Sequence, residues 1–197
     1  MNGITQIPEQ QSILEFLEER SGKSIKLHLG CGGVRWKDFV NVDLHPHSEG
    51  NVDSSRGGCV ADVFADIRNL NLQDNYVDEI FSAHVLEHFT KWEALQMLTD
   101  WVRMLKPGGI LRIETPDFLR CVFWLFHPSK KKRDLAERQF YGNQWDGLDY
   151  ETHRFVWSAR QLRDAFRDAG LVNVHSTHQV WTHHKWRDMR VEGQKRG

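Results

Sequence analysis

The chain has 197 residues, of which 40% are hydrophobic and 27% charged. That is enough for one domain with a real core, and it excludes a disordered polymer. The 26 basic and 27 acidic side chains leave a formal charge of −1, which argues against bulk nucleic acid or an anionic membrane as the main partner.

The first ten residues lack the basic-then-apolar pattern of a secretion signal, and the longest apolar run, 121–126, is far too short to span a bilayer. The periodicity predicts a helix over 8–20, with Pro8 suited to a first turn and Ile13, Leu14 and Leu17 as its apolar stripe. A strand over 25–29 runs straight into Gly30, Gly32 and Gly33. A second short strand covers 39–43, and 44–59 reads as a surface loop. Three cysteines, Cys31, Cys59 and Cys121, make no CxxC pair and no even framework, so they read as reduced thiols of a cytoplasmic protein.

A third strand covers 77–82. The clearest helix is 91–105, where Thr90 and Glu93 form a capping box and Leu95, Leu98, Val102 and Leu105 line one face. Lys106-Pro107-Gly108-Gly109 stops it, and a strand over 110–114 follows. Ser158 and Gln161 cap a second helix over 159–169, with Leu162, Ala165 and Phe166 inward. Two late strands near 171–180 and 185–191 form a hairpin around residues 182–184. Alternating strands and helices imply one domain, an α/β doubly wound and mostly parallel sheet with a C-terminal antiparallel hairpin. Ligands of such sheets bind beyond the carboxyl ends of the strands, after Leu29, Asp43, Phe81 and Glu114.

Glycines at the first strand end admit positive φ and close backbone approach. The dinucleotide fingerprint would need a third glycine where Arg35 stands, so nicotinamide binding recedes. At the second strand end, the carboxylate of Asp43 can accept two ribose hydroxyls or cap a turn. Asp43 follows Gly30 too closely for the roughly 20-residue spacing of the dinucleotide pattern, so the intervening helix is stunted or missing.

Taken in order, LHLGCGG, VNVDL, ADIRNL, FSAHVLEHF and LKPGGILRIETPD resemble the class I S-adenosylmethionine-dependent methyltransferases, over about half the chain. The short chain and its Arg187-Asp188-Met189 ending are also similar to small methyltransferases encoded among polysaccharide-modifying enzymes. The resemblance implies S-adenosyl-L-methionine as cofactor, with Gly30, Cys31 and Gly32 beside its methionine half and Asp43 on its ribose. It implies Asp66 at the adenine amine, Ile67 on the adenine face, and Ser82, Ala83 and His84 near the sulfonium. His28 stands where many relatives carry an acidic residue, and Arg35 is a candidate for the cofactor carboxylate.

Methyl transfer to a hydroxyl needs a proton acceptor, and histidine titrates near neutrality. His84 is expected as the catalytic base, with His153 in reserve. Glu87 and His88 read as braces for the following helix. His153 lies in 118–157, expected to be a lid over the acceptor, with Tyr141, Trp145, Tyr150, Phe155 and Trp157 as sugar-binding rings or as packing. His183 and His184 point to opposite faces of a strand, and no cysteine joins them at a zinc spacing, so no metal is expected. The expected function is methylation of a small acceptor, a hydroxyl of a saccharide or related metabolite. The alternatives are an RNA or protein methyltransferase and a non-catalytic binding protein of the same fold.

Overall fold

The computed structural model describes residues 13–20, 22–44, 59–144, 151–181 and 186–197. The element order is α1 (Ile13–Glu18), β1 (Lys26–Leu29), β2 (Val40–Asp43), β3 (Val63–Phe64), β4 (Val77–Ala83), α2 (Lys91–Met104) and β5 (Leu105–Pro116). Then come α3 (Phe118–Leu125), α4 (Lys130–Tyr141), α5 (Ala159–Asp168), β6 (Leu171–Thr177) and β7 (Asp188–Lys195). The seven strands form one sheet in the order β3-β2-β1-β4-β5-β7-β6. The pairs β3-β2, β2-β1, β1-β4 and β4-β5 are parallel, whereas β7 runs antiparallel to both β5 and β6. The strand order reverses between β1 and β4, which puts the ligand crevice above their carboxyl ends.

Both capping boxes form: Thr90 accepts from the Glu93 N–H, and Ser158 from that of Gln161. The Lys106–Gly109 stretch bulges out of the β4-β5 ladder, which passes from Val77–Leu105 directly to Glu79–Ile110. Residues 118–157, expected as a lid over the acceptor, contain two helices, α3 and α4. Within α4, Lys130 forms an ion pair with Asp134 one turn on. The start of the predicted N-terminal helix, the hairpin turn, Trp145, Tyr150, His183 and His184 lie outside the described residues.

Alternation along the strands gives the sheet two unlike faces. On one, Leu27, Leu29, Ile80, Leu111, Ile113, Met189 and Val191 join Trp101 of α2 and Leu162 and Phe166 of α5 in the main core. On the other, no helix follows β1, as the short spacing to Asp43 had implied. Aromatic rings cover that face: Trp36 stacks on Phe81 at 4.6 Å, and Trp181 lies 5.3 Å from Trp36. Beside them a cross-strand row of charges runs from Lys26 through Glu79 and Arg112 to Glu192.

Candidate active site

The turn after β1 opens on Gly30 (φ 71°) and Gly32 (φ 50°), both in the left-handed region. They serve different ends. A Cβ on Gly30 would land well inside van der Waals contact with Val85 Cγ2, so this glycine admits the loop that follows β4. A Cβ on Gly32 would meet nothing within 4 Å. Its N–H instead donates to Asp43 Oδ2 at 2.6 Å, and the Leu44 N–H donates to Oδ1 at 2.8 Å. A carboxylate offers about four lone-pair sites, so half-buried Asp43 keeps spare acceptor capacity.

The other residues expected around a cofactor are more committed. Cys31 is buried, beside Cys59, and the two thiols shift each other: Cys31 upward, Cys59 downward. Arg68 grips both oxygens of Asp66 through its guanidinium, and its backbone N–H adds a further bond, which holds the Asp66 carboxyl below the usual range. Ile67 is buried in the main core, and its carbonyl accepts from Trp101 Nε1 at 3.0 Å. Ser82 is buried and donates to the Leu29 carbonyl at 2.9 Å, bracing β1 against β4. Ala83, half-buried, ends β4 opposite Glu114. Arg35 is drawn away to Asp62 and the Val60 carbonyl.

His84, expected as the base, is clamped between two buried carboxylates. Its Nδ1 lies 3.1 Å from Glu87 Oε1 and its Nε2 3.2 Å from Asp188 Oδ2. Burial by itself would lower its pKa, but the bonds to Asp188 and Glu87 outweigh burial and raise it to about 9. An imidazolium with both nitrogens engaged has no lone pair to offer. His84 thus bridges Glu87 and Asp188, a position that suits a clamp as well as the base expected from the sequence. Its φ of 55°, rare for a residue with a Cβ, is held by its N–H donating to the Glu114 carbonyl at 2.9 Å.

His153 is placed differently. The carbonyl of Glu87 accepts the N–H groups of Arg154 and Phe155 at 2.8 and 3.2 Å, which docks this strip against the 3₁₀ turn Leu86–His88. Gly142 (φ 75°) pairs with Thr152, and a Cβ there would overlap the Glu151 carbonyl oxygen. His153 Nδ1 lies 2.7 Å from the Gln139 carbonyl, which fixes that nitrogen as the N–H donor and leaves Nε2 as an acceptor. His88 repeats the arrangement, with Nδ1 3.3 Å from the Thr152 carbonyl. The two rings meet edge to face at 4.8 Å. Burial lowers the pKa of His153, against the opposing pull of Glu87.

Sequence reasoning missed Asp188 because β7 delivers it from the far end of the chain, and spacing carries no such signal. It also missed the pairing of Asp117 with His178 at 3.1 Å. Asn41 was visible in VNVD but went unread. It accepts the Trp36 N–H, lies 3.1 Å from His28 Nδ1, and donates to the carbonyls of Trp36 and Phe39 and to Asp62. His28, buried against Phe81 and Trp36, has its pKa lowered by burial and is part of the wall under the crevice.

The chain matches a family described as a methyltransferase domain over residues 13–176. No curated protein sequence matches it. Among solved structures, a chain of the complex between the Haloferax volcanii Trm112 methyltransferase activator and a methyltransferase is similar at TM-score 0.57 and 18% identity. That match covers 88% of this chain and 83% of the other. An S-adenosylmethionine-dependent methyltransferase from Thermotoga maritima is similar at TM-score 0.53 and 19% identity, covering 94% and 88%. Phosphoethanolamine N-methyltransferase 2 of Haemonchus contortus, solved with S-adenosylhomocysteine, is similar at TM-score 0.51 and 11% identity, covering 93% of this chain and 52% of that one. These likenesses concern the fold.

Proposed function

The chain belongs to the methyltransferase-domain family, and from that premise we propose that it moves a methyl group from S-adenosylmethionine to a hydroxyl of a saccharide or related small metabolite. The observation that carries the reading is the placement of Gly32, Asp43, His88 and His153 beyond the carboxyl ends of the strands where their order reverses. There the open space over Gly32 and the spare acceptor sites of Asp43 lie on the side of the sheet end that also holds His153 and His88.

Asp43 would hold the ribose hydroxyls, and the Gly30–Gly32 backbone would border the methionine half. Cys31, Ser82 and Ala83 would support that wall from behind through backbone and packing, because the first two side chains are buried. Asp66 and Ile67 stand at the adenine end, where Asp66 would meet the exocyclic amine by exchanging Arg68 for it. When bound, the cofactor supplies an electrophilic methyl on a sulfonium. The residues on the acceptor side take up the hydroxyl proton, and Nε2 of His153 is oriented for that by the Gln139 carbonyl. His84 fixes the floor between Glu87 and Asp188. The segment 118–157, with Tyr141 exposed on it, would cover the acceptor.

Calorimetry with S-adenosylmethionine, followed by a methyl-transfer screen over saccharides, RNA and peptides, tests this reading. The expected result is cofactor binding with label entering a saccharide. Label entering only RNA or peptide would move the acceptor to those classes. Cofactor binding without turnover on any of them would leave a binding protein. Absence of cofactor binding would overturn the reading altogether.

A further inference from the structure

One carboxylate and two imidazoles converge beside the crevice. One ligand atom from each of Glu87, His88 and His153 lies within 4.8 Å of the other two. We propose that these three residues form a divalent transition-metal site that activates the acceptor hydroxyl.

Three features separate this cluster from a chance meeting of polar groups. First, each histidine has Nδ1 set against a backbone carbonyl, of Thr152 for His88 and of Gln139 for His153. That outer bond selects the tautomer whose Nε2 lone pair is available, as it does in metal-ligating histidines generally. Second, Glu87 is fully buried and oriented by His84 on Oε1 and by the Thr115 hydroxyl on Oε2 at 3.0 Å. These bonds use two of its roughly four lone-pair sites and leave the others for a cation. Third, the two histidines are half-buried rather than sealed, so positions opposite the protein ligands stay open to an acceptor. Atoms sharing an ion at about 2.1 Å sit about 3.0–3.5 Å apart, so a pair at the 4.8 Å limit closes by about 1.3–1.8 Å, within reach of side-chain rotation. Two imidazoles with one carboxylate suit zinc and its first-row neighbours better than magnesium, which prefers an all-oxygen shell.

The proposal rests on the methyltransferase reading and refines its acceptor step. Coordinated through its oxygen, the acceptor hydroxyl ionises and its proton passes to solvent. The oxygen then forms a bond to the methyl carbon, while the carbon–sulfur bond breaks and its electron pair stays on sulfur as a neutral thioether. In the loaded enzyme Nε2 of His153 is a ligand, and the cation replaces it as the activating group.

Chelator-treated protein is titrated with zinc in competition with a chromophoric chelator, and with cobalt while its visible absorption is followed. The expected result is one tight equivalent of zinc, a d–d spectrum of low-coordinate cobalt, and a raised Tm with zinc. His88→Ala and His153→Ala should each weaken zinc binding by about 100-fold or more, while exposed His175→Ala should not. No stoichiometric site in the unaltered chain, or tight binding that survives both variants, overturns the proposal. Calorimetry with S-adenosylmethionine on the same metal-free sample separates the two readings. Cofactor binding without a zinc site removes only the metal and returns His153 to the part of base. A zinc site without cofactor binding removes the methyltransferase chemistry and leaves the metal.

Discussion

Replacing Gly30 by alanine separates a packing requirement from a ligand requirement. Gly30 holds φ 71°, where an added Cβ costs about 1–2 kcal/mol. The same Cβ would run into Val85 Cγ2, with Cγ1 at 3.2 Å and Cβ at 3.3 Å behind it. Val85 is β-branched and stiff at χ1, so it cannot simply rotate clear. Relieving such overpacking costs about 1–3 kcal/mol more. Gly30→Ala should therefore lose about 2–5 kcal/mol in urea unfolding followed by circular dichroism, with an unchanged m-value. Made in a Val85→Ala background, the same change should cost only the backbone part, about 1–2 kcal/mol, and the difference is the coupling of the pair. Equal penalties in both backgrounds would acquit Val85. Wild-type stability with lost S-adenosylmethionine binding would show that Gly30 serves the ligand alone, which is the reading the glycine turn invites from sequence.

Asp43→Ala should weaken S-adenosylmethionine binding by about 1–3 kcal/mol in calorimetry, because the ribose hydroxyls lose a charged acceptor; unchanged affinity in a folded variant would remove Asp43 from the site. His84→Ala strands Glu87 and Asp188 in the interior and should cost about 3–5 kcal/mol of stability, toward the lower end because Arg187 still lies 3.0 Å from Asp188; a loss under about 1 kcal/mol would refute the clamp. His153→Ala should lower methyl transfer by about 10²–10⁴-fold while leaving cofactor affinity unchanged; near-normal turnover would exclude His153 from the acceptor step.

The parts of the fold that were legible in the sequence are those written in local chemistry. Both capping boxes, the glycine stops and the apolar stripe of α5 depend on residues three or four apart, and α2 and α5 are where the pattern put them, although α2 buries Ala94, Met97 and Trp101 beside Leu98 and Val102 while Leu105 opens β5. The absent helix after β1 was likewise legible, because a short spacing leaves no room for one. The misses have the opposite character. β3 is two residues long, Val63–Phe64, and has no periodicity to detect; it exists because β2 offers it a parallel edge. The helix α3 reads as an apolar run because Leu119 and Phe123 stay exposed on it, so no polar face marks its period.

The candidate site divides along the same line, as His84 and His153 show. Both histidines lie where a base could stand, and sequence ranks them only by distance from a strand end. What decides between them is the company each keeps. Glu87 could be counted off from His84, but Asp188 reaches His84 only because β7 runs antiparallel to β5 and sets Asp188 opposite Pro116. One carboxylate would have left His84 a usable base, oriented as in a triad. The second adds a further charge that favours the protonated ring and bridges two strand ends. His153 is freed by the reverse accident. Its Nδ1 lies against a neutral carbonyl, which orients the ring without charging it. A catalytic assignment from sequence therefore needs the second neighbour, and in this fold the second neighbour comes from the strand that turns back.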